Sequence, residues 1–360
     1  MRNWIVFILV LLILSTHGLT TSFAEENRYI QSIKLAGEWF LNNQDEAFLY
    51  YRYNHLRKRH SQEHYPLREM GALWSIAKLS NFLDDPRYDS LAHRGFRYFE
   101  GFFKYDEEND FYFVNIAPQE MELGYSAFII LALLEMDHPR KDYYLDKFAK
   151  GIILLQRDDG SLRTFFYSDS STGTDYYPGE ALFALMSLYE YTKDKRYLKI
   201  VEKAFPHYVR YWQDNPNTAF VPWQSRAYYG LYEVTRKREV ADFVLEMNDY
   251  ILSQHSPKGN CLRLDLSKGL LTAVYMEGVN KAYQLAREFD DKERLKCYAN
   301  FILEGSVLIL SLQVTDTTNF EKEAIGGFKA SHTSRLMRVD GNQHAVMALI
   351  EAYELGILRD

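Results

Sequence analysis

Cysteine is scarce in this chain. Its 360 residues include two cysteines, Cys261 and Cys297. Two thiols without a matching set of cysteines and histidines argue against a structural zinc site, so no metal and no cofactor are expected. In an oxidising compartment the pair can form a disulfide if the Cα atoms approach within about 7 Å, whereas buried free thiols are the alternative that the sequence leaves open.

Basic blocks, linkers and several catalytic motifs are also missing. The formal net charge is −7 and no cationic run occurs, which argues against nucleic acid as a partner. No stretch rich in proline, serine and glycine divides the chain, so residues 25–360 are predicted to form one domain. Serine hydrolases, P-loop enzymes and zincins lack support, because none of their glycine-rich or His-Glu-x-x-His motifs is present.

The N-terminal segment has the form of an export signal. Its apolar run, Ile5–Leu14, is shorter than the ~20 residues that span a bilayer. The small-x-small sequence Ser22-Phe23-Ala24 then suits signal peptidase. Residues 1–24 are therefore predicted to be a removed signal peptide, with an uncleaved anchor as the alternative. We expect a periplasmic or secreted protein that keeps no stable membrane span after cleavage.

A repeat runs through the rest of the chain. A polar or charged residue beside small residues recurs every 46 to 66 positions, at Glu69, Glu122, Glu180, Arg226, Glu277 and Gln343. Each marker opens an apolar helical stretch, and such a period is typical of stacked supersecondary units that share one core. Six units could close into a ring.

Helices with one charged face alternate with these apolar helices. Three of them follow turns that contain aspartate, Asp84-Asp85, Lys193-Asp194 and Asp290-Asp291, which we interpret as capped turns between antiparallel helices. Longer connections with short extended pieces precede the apolar helices, for example Phe111 to Val114 and Ala219 to Val221. These long loops, and all six markers, are expected at one end of the ring.

This organisation resembles the six-hairpin glycosidase superfamily over nearly the whole chain after residue 24. The resemblance lies in the architecture and implies an all-α fold, an (α/α)6 barrel with short extended segments in the loops at its cleft end. It also implies an active-site cleft at that end and activity on poly- or oligosaccharides, as hydrolase, lyase or epimerase. A fold-level resemblance supports the location of a site better than the reaction.

Acidic residues repeat at the predicted cleft. Hydrolysis of a glycosidic bond usually needs one protonated and one ionised carboxyl group. The candidate catalytic residues are Glu180 or Asp175 for one carboxyl group and Asp340 or Glu122 for the other. Helix capping and interaction with the helix dipole explain a first-turn acid equally well.

Aromatic and polar residues complete the predicted cleft. The candidate substrate-binding residues are Tyr176, Tyr177, Trp223, Arg226, Tyr125, Glu69, Glu277, Arg338 and His344. Asp340 and His344 are four positions apart and could form a proton-transferring pair on one helix face. Arginines in this set would favour acidic sugars.

Three hypotheses follow for the function. The first is an exported glycoside hydrolase with a glycan substrate. The second is a polysaccharide lyase or sugar epimerase, in which a tyrosine or histidine removes a proton from the sugar ring. The third is a non-catalytic glycan-binding or assembly protein on the same toroid.

Overall fold

A computed structural model describes residues 27–117 and 121–359. This part of the chain contains twelve α-helices and five short strands. The predicted signal peptide, residues 1–24, lies outside the described residues, and the division into a signal and one domain stays a prediction.

Six helices form a closed inner ring. They are α2 (Pro66–Leu83), α4 (Leu123–Glu135), α6 (Tyr177–Thr192), α8 (Val221–Thr235), α10 (Leu271–Glu288) and α12 (Val339–Glu354). Each contacts the next, and α12 returns to contact α2. The ring therefore closes between the first and the last of its units.

Six helices surround this ring. They are α1 (Arg28–Asn42), α3 (Pro86–Glu100), α5 (Lys141–Leu154), α7 (Lys195–Asp214), α9 (Arg238–His255) and α11 (Lys292–Leu312). Helices α3, α5, α7, α9 and α11 each pack on the inner helix that precedes them, and α1 packs on α12. The predicted (α/α)6 barrel is confirmed.

Burial explains why the two rings differ in sequence. In α4 every residue from Leu123 to Leu133 is buried, as expected of a helix enclosed on all sides. In α7 the buried residues recur at three- and four-residue spacing, from Tyr197 to Trp212, and the other face is charged. The inner helices therefore carry the core, while the outer helices separate it from water.

Glycines beside the markers allow side chains of neighbouring helices to approach closely. A Cβ atom at Gly71 would lie 2.7 Å from Oε1 of Gln343 in the inner helix α12, and one at Gly278 would lie 2.8 Å from Oδ1 of Asn248 in the outer helix α9. Both distances are too short for real contacts, so a larger residue would displace these side chains. Close packing thus accounts for the small residues in the repeat.

The short turns between helices carry the expected caps. Asp85, Asp194 and Asp291 each accept a hydrogen bond from a backbone N–H in the first turn of the helix that follows. The interpretation of these aspartates as capping residues is confirmed.

The strands lie in the long loops before the inner helices. Strands β3 (Phe103–Asp106) and β4 (Phe111–Val114) form a hairpin, as predicted for the second strand. The predicted extended piece at 219–221 is wrong, because residues 218–220 form a turn and Val221 begins α8. Here Val221 is followed by Pro222, a residue well suited to the first helical turn.

A second sheet joins the two ends of the described chain. Strand β1 (Arg52–Asn54) pairs antiparallel with β2 (Arg59–His60) on one side and with β5 (Leu336–Arg338) on the other. Since β1 precedes the first inner helix and β5 leads directly into the last, this sheet fastens the first unit of the ring to the sixth.

Cys261 and Cys297 form a disulfide, with Cα atoms 5.4 Å apart. It links the loop after α9 to α11. Length and apolar composition alone would allow α11 to cross a membrane. In this fold α11 is an outer helix, in which Tyr298, Phe301 and Ile302 are fully buried while Leu303 and Val307 are exposed.

Candidate active site

A cavity of about 650 Å³ opens where the inner helices begin. Aromatic residues make up much of its wall: Tyr65, Phe128, Tyr176, Tyr177, Trp223, Tyr275 and Phe328. Its charged and titratable lining residues are Arg68, Glu180, Lys268, Arg338, Asp340 and His344. The end of the barrel that carries the markers therefore contains the cavity.

Glu180 is a buried carboxyl group at this cavity. It lies in the first turn of α6 with 4% of its surface exposed. Burial, and secondarily the charge of Glu122, raises the pKa of Glu180 to about 8. Its Oε2 atom has no hydrogen-bond partner among the described residues. At neutral pH Glu180 is therefore mainly protonated, as a general acid must be.

Glu122 lies behind the cavity wall. It precedes α4, and its neighbours Tyr125 and Tyr177 donate hydrogen bonds to its carboxyl group. Burial raises the pKa of Glu122 to about 7 even though these hydrogen bonds oppose the shift. Glu122 is absent from the cavity lining, so its contact with the site runs through Tyr177, which does line it.

Asp340 lies at the cavity in contact with two arginines. Arg338 donates from Nε to Oδ1 at 2.9 Å and from Nη2 to Oδ2 at 2.5 Å. Arg68 donates to the same Oδ2 atom from the start of α2. Because the two guanidinium groups come from opposite ends of the chain, the carboxylate also connects the first and last inner helices.

His344 pairs with Glu277 and not with Asp340. Its Nδ1 atom lies 2.8 Å from Oε1 of Glu277, which is fully buried in α10. The prediction of an Asp340–His344 pair is wrong, because the carboxylate of Asp340 accepts hydrogen bonds from Arg68 and Arg338 instead. With Glu277 accepting from Nδ1–H, a neutral His344 would carry its lone pair on Nε2.

Arg226 forms an ion pair with the same Glu277 side chain. Its Nη2 atom lies 2.8 Å from Oε2 of Glu277 and 3.0 Å from Oε1 of Glu351. The guanidinium group also lies over the rings of Trp74 and Trp223. Arg226 is buried and absent from the cavity lining, so in the described residues it contacts other side chains of the barrel core.

Asp175 and Glu69 have local partners. Asp175 accepts hydrogen bonds from the Tyr211 hydroxyl at 2.7 Å and from Asn217 at 3.0 Å. Glu69 accepts from the backbone N–H of Tyr65 at 2.9 Å, which caps the start of α2. Neither residue is part of the cavity lining.

The cavity thus gathers about half of the residues that the sequence suggested. Those that line it are Glu180, Asp340, Tyr176, Tyr177, Trp223, Arg338 and His344. Those that lie outside its lining are Glu122, Asp175, Glu69, Tyr125, Arg226 and Glu277.

Sequence reasoning missed three prominent lining residues, Arg68, Lys268 and Phe328, whereas Tyr275 was expected among the aromatic residues of the cleft and does line it. Arg68 directly precedes the marker Glu69, so proximity to a marker was the available signal. Among the described residues, no group of three or more histidine, cysteine, aspartate or glutamate side chains is placed to hold a metal ion.

Solved structures resemble this chain along almost its whole length. A D-mannose isomerase matches with a TM-score of 0.67 and 12% identity, covering 93% of this chain and 99% of the other. A second match is an alpha-1,6-mannanase of glycoside hydrolase family 76 from a Salegentibacter species, an inactive variant with two aspartates replaced, in complex with alpha-1,6-mannotetrose. Its TM-score is 0.64 at 13% identity, and the match covers 91% of this chain and 99% of the mannanase. Cellobiose 2-epimerase from Bacillus thermoamylovorans matches with a TM-score of 0.63 and 12% identity, covering 90% of this chain and 98% of the epimerase.

The chain has the barrel fold of the six-hairpin glycosidases. No family model and no curated protein matches its sequence. At 12 to 13% identity the structural likeness shows the fold alone.

The inactive mannanase variant lacks two consecutive aspartates. This chain has three such pairs, at 84–85, 158–159 and 290–291. None of these six residues lines the cavity of the described structure. If the cavity hydrolyses a glycoside, other carboxyl groups must do so.

Proposed function

We propose that the protein is an exported carbohydrate-active enzyme that hydrolyses a glycosidic bond in a poly- or oligosaccharide. One observation carries the proposal. Glu180 and Asp340 are the two carboxyl groups that line the cavity of the described structure, and their environments are opposite. Glu180 is buried and lies near the carboxyl group of Glu122, whereas Asp340 contacts two guanidinium groups.

Opposite environments suit the two tasks of glycoside hydrolysis. The protonated Glu180 would donate a proton to the leaving oxygen, and the ionised Asp340 would activate water or attack the sugar. Arg338 and Arg68 would fix the orientation of Asp340 through its two oxygens.

Aromatic residues supply a surface for the sugar. Trp223, Tyr176 and Tyr275 line the cavity, and rings with a polar edge suit the mixed C–H and hydroxyl faces of a pyranose. The structural likeness to a mannanase in complex with mannotetrose supports a glycan ligand in this type of barrel. Export rests on the predicted signal peptide at residues 1–24.

A second candidate function rests on the His344–Glu277 pair. A histidine hydrogen-bonded to a buried glutamate is suited to remove a proton from a carbon atom next to a carbonyl or carboxyl group. That chemistry belongs to epimerases, isomerases and lyases, and two of the similar structures are an epimerase and an isomerase.

Three amide variants test the leading proposal. Glu180→Gln and Asp340→Asn should each abolish release of reducing sugars from a glycan panel, whereas Asp175→Asn, outside the cavity, should leave activity near that of the wild type. Thermal melting of each variant checks that folding is intact. Full activity in a folded Glu180→Gln protein would refute the assignment.

Solvent isotope exchange separates the two candidates. Incubation in D₂O should leave the carbon-bound hydrogens of the products unlabelled if the enzyme is a hydrolase. Deuterium at a ring carbon would instead favour an epimerase, and an unsaturated sugar product would favour a lyase. Either signal should be lost in His344→Asn.

A further inference from the structure

The cavity has the opposite charge sign to the protein as a whole. The chain carries a formal charge of −7. In the cavity the cationic side chains Arg68, Lys268 and Arg338 outnumber the carboxyl groups of Glu180 and Asp340. The excess is positive even when both carboxyl groups are ionised. A positively charged recess in a negatively charged protein concentrates negatively charged ligands.

The two cavity arginines keep unused donors. A guanidinium group has five N–H donors. Asp340 accepts one of them from Arg68 and two from Arg338, and no other acceptor contacts them within the described residues. The side chains are 33% and 42% exposed, so the remaining donors can reach a ligand. Such forked donors match a carboxylate or a sulfate.

Positive charge continues beyond the cavity over the three-stranded sheet. Arg52 of β1 stands opposite Arg338 of β5, and Asn54 stands opposite Arg59 of β2. Paired residues, and residues two apart on a strand, share one face of a sheet, so the three arginines lie on the same face. We call this face, with Arg57, the arginine groove; it borders a recess of about 750 Å³.

The recess beside the arginine groove is also lined by two stacked rings. Tyr50 stacks on His60 with ring centres 4.0 Å apart and an angle of 16° between the planes. Both residues line the recess. Among its lining residues one carboxylate, Glu63, opposes the cations, and it pairs with Arg52. The recess therefore combines net positive charge with an aromatic surface against which a sugar ring can pack.

We propose that the substrate is an anionic glycan, whose acidic substituent binds Arg68 and Arg338 in the cavity while neighbouring units lie along the arginine groove. The proposal rests on the assignment of the cavity to a sugar. The shared chemistry is an anionic oxygen group on a pyranose, either a uronate carboxylate or a sulfate ester.

Binding to the folded Glu180→Gln protein tests this inference without turnover. The probes are uronate oligosaccharides, the same oligosaccharides after reduction of their carboxyl groups, and sulfated oligosaccharides of equal length. Calorimetry should detect binding of uronate or sulfated probes, and the neutral counterparts should bind at least about tenfold more weakly. Affinity should also fall as salt rises from 50 to 300 mM, because exposed charges are screened.

Paired variants test the groove separately. Arg57 and Arg59 are exposed, as is Lys58 between them in the same hairpin, which lies outside the recess lining. Arg57→Gln with Arg59→Gln should weaken binding of a hexasaccharide by about fivefold, at the scale of two exposed ion pairs, and leave a disaccharide unaffected. Lys58→Gln should change neither.

The outcomes separate the two proposals. Equal binding of neutral and anionic probes, binding of none of them, or identical losses in the arginine and lysine variants would overturn the anionic-glycan inference. Selective anionic binding by a wild-type protein that cleaves none of the bound glycans would instead refute hydrolysis and leave the ligand class intact.

Discussion

Gly124 in the first turn of α4 packs directly against the Glu180 carboxyl group of α6. A Cβ atom at position 124 would overlap Oε2 of Glu180 and lie 2.8 Å from Cδ1 of Leu67. The space that this glycine leaves is therefore filled by the carboxyl group proposed as the acid. Glycine here is a packing requirement and not a turn residue, because position 124 is helical.

Replacement of Gly124 by alanine should displace Glu180. We expect a loss of about 1–3 kcal/mol in the free energy of unfolding, typical of overpacked cores, and a larger proportional loss of activity. Denaturant unfolding and reducing-sugar release measure the two effects. Gly101→Ala is the control, since its added Cβ would meet only Tyr98 O, at 3.3 Å. Wild-type stability and activity in Gly124→Ala would contradict the role of this contact.

Protein stability should decrease as the pH rises through the range in which Glu180 and Glu122 titrate. Their pKa values are raised from 4.5 to about 8 and about 7, so the folded protein binds more protons than the unfolded chain between these limits. The stabilisation is full below pH 4.5 and is lost as the pH passes the folded pKa. Each group contributes at most about 1.4 kcal/mol per pH unit.

Variants isolate these contributions. Unfolding free energies of Glu180→Gln and Glu122→Gln, measured from pH 5 to 9, should fall less steeply than that of the wild type. Glu304→Gln, at an exposed position of α11, should keep the wild-type slope. If all four proteins share one slope, the two carboxyl groups are not protonated in the native state. Hydrolysis that needs protonated Glu180 should decline above pH 8.

Removal of the buried Arg226 should destabilise the barrel severely. Arg226→Met removes the cation that pairs with the buried Glu277 and leaves Glu351 with Lys281 alone, and breaking a buried ion pair costs about 3–5 kcal/mol. Arg236→Met removes an exposed cation that also contacts two glutamates, Glu233 and Glu288, and should cost less than about 1 kcal/mol. Urea unfolding of both proteins provides the comparison. Equal losses of unfolding free energy in the two variants would contradict the prediction that the buried ion pair contributes more to stability than the exposed one.

The disulfide should contribute measurably to stability. Cys261 and Cys297 are separated by 36 positions. Closing a loop of that length stabilises the folded state by about 3–4 kcal/mol through the lower entropy of the unfolded chain. The double variant Cys261→Ser, Cys297→Ser should therefore unfold at lower denaturant concentration than the oxidised protein, and reduction of the wild type should reproduce the shift. An unchanged midpoint in both experiments would contradict the prediction.

The ring was predictable because apolar helices repeat along the chain and each marker stands at a helix start. The rotation of each helix about its own axis was not. Successive residues differ by about 100° around a helix, so Glu69 can cap α2 while its neighbour Arg68 reaches the cavity. In helices buried on every side, no polar face in the sequence marks which direction is inward.

The side-chain pairs that join different helices could not be predicted from the sequence either. Asp340 and His344 share a helix, yet their partners Arg68 and Glu277 belong to other units of the ring. Spacing within one helix predicts local pairs, whereas the bond to Arg68 spans 272 positions and forms only when the ring closes. Arg226 and Glu277 are paired by the packing of the consecutive inner helices α8 and α10, and both are buried in the core instead of contacting a ligand.

The contact between Arg68 and Asp340 has a consequence for synthesis of the protein. A ribosome releases the segment that carries Arg68 long before the segment that carries Asp340, and β1 must likewise wait for β5. An incomplete nascent chain can build consecutive hairpins but lacks one wall of the cavity. The cavity should therefore form last, after the sixth hairpin docks, and truncated chains should lack it even where their helices have formed.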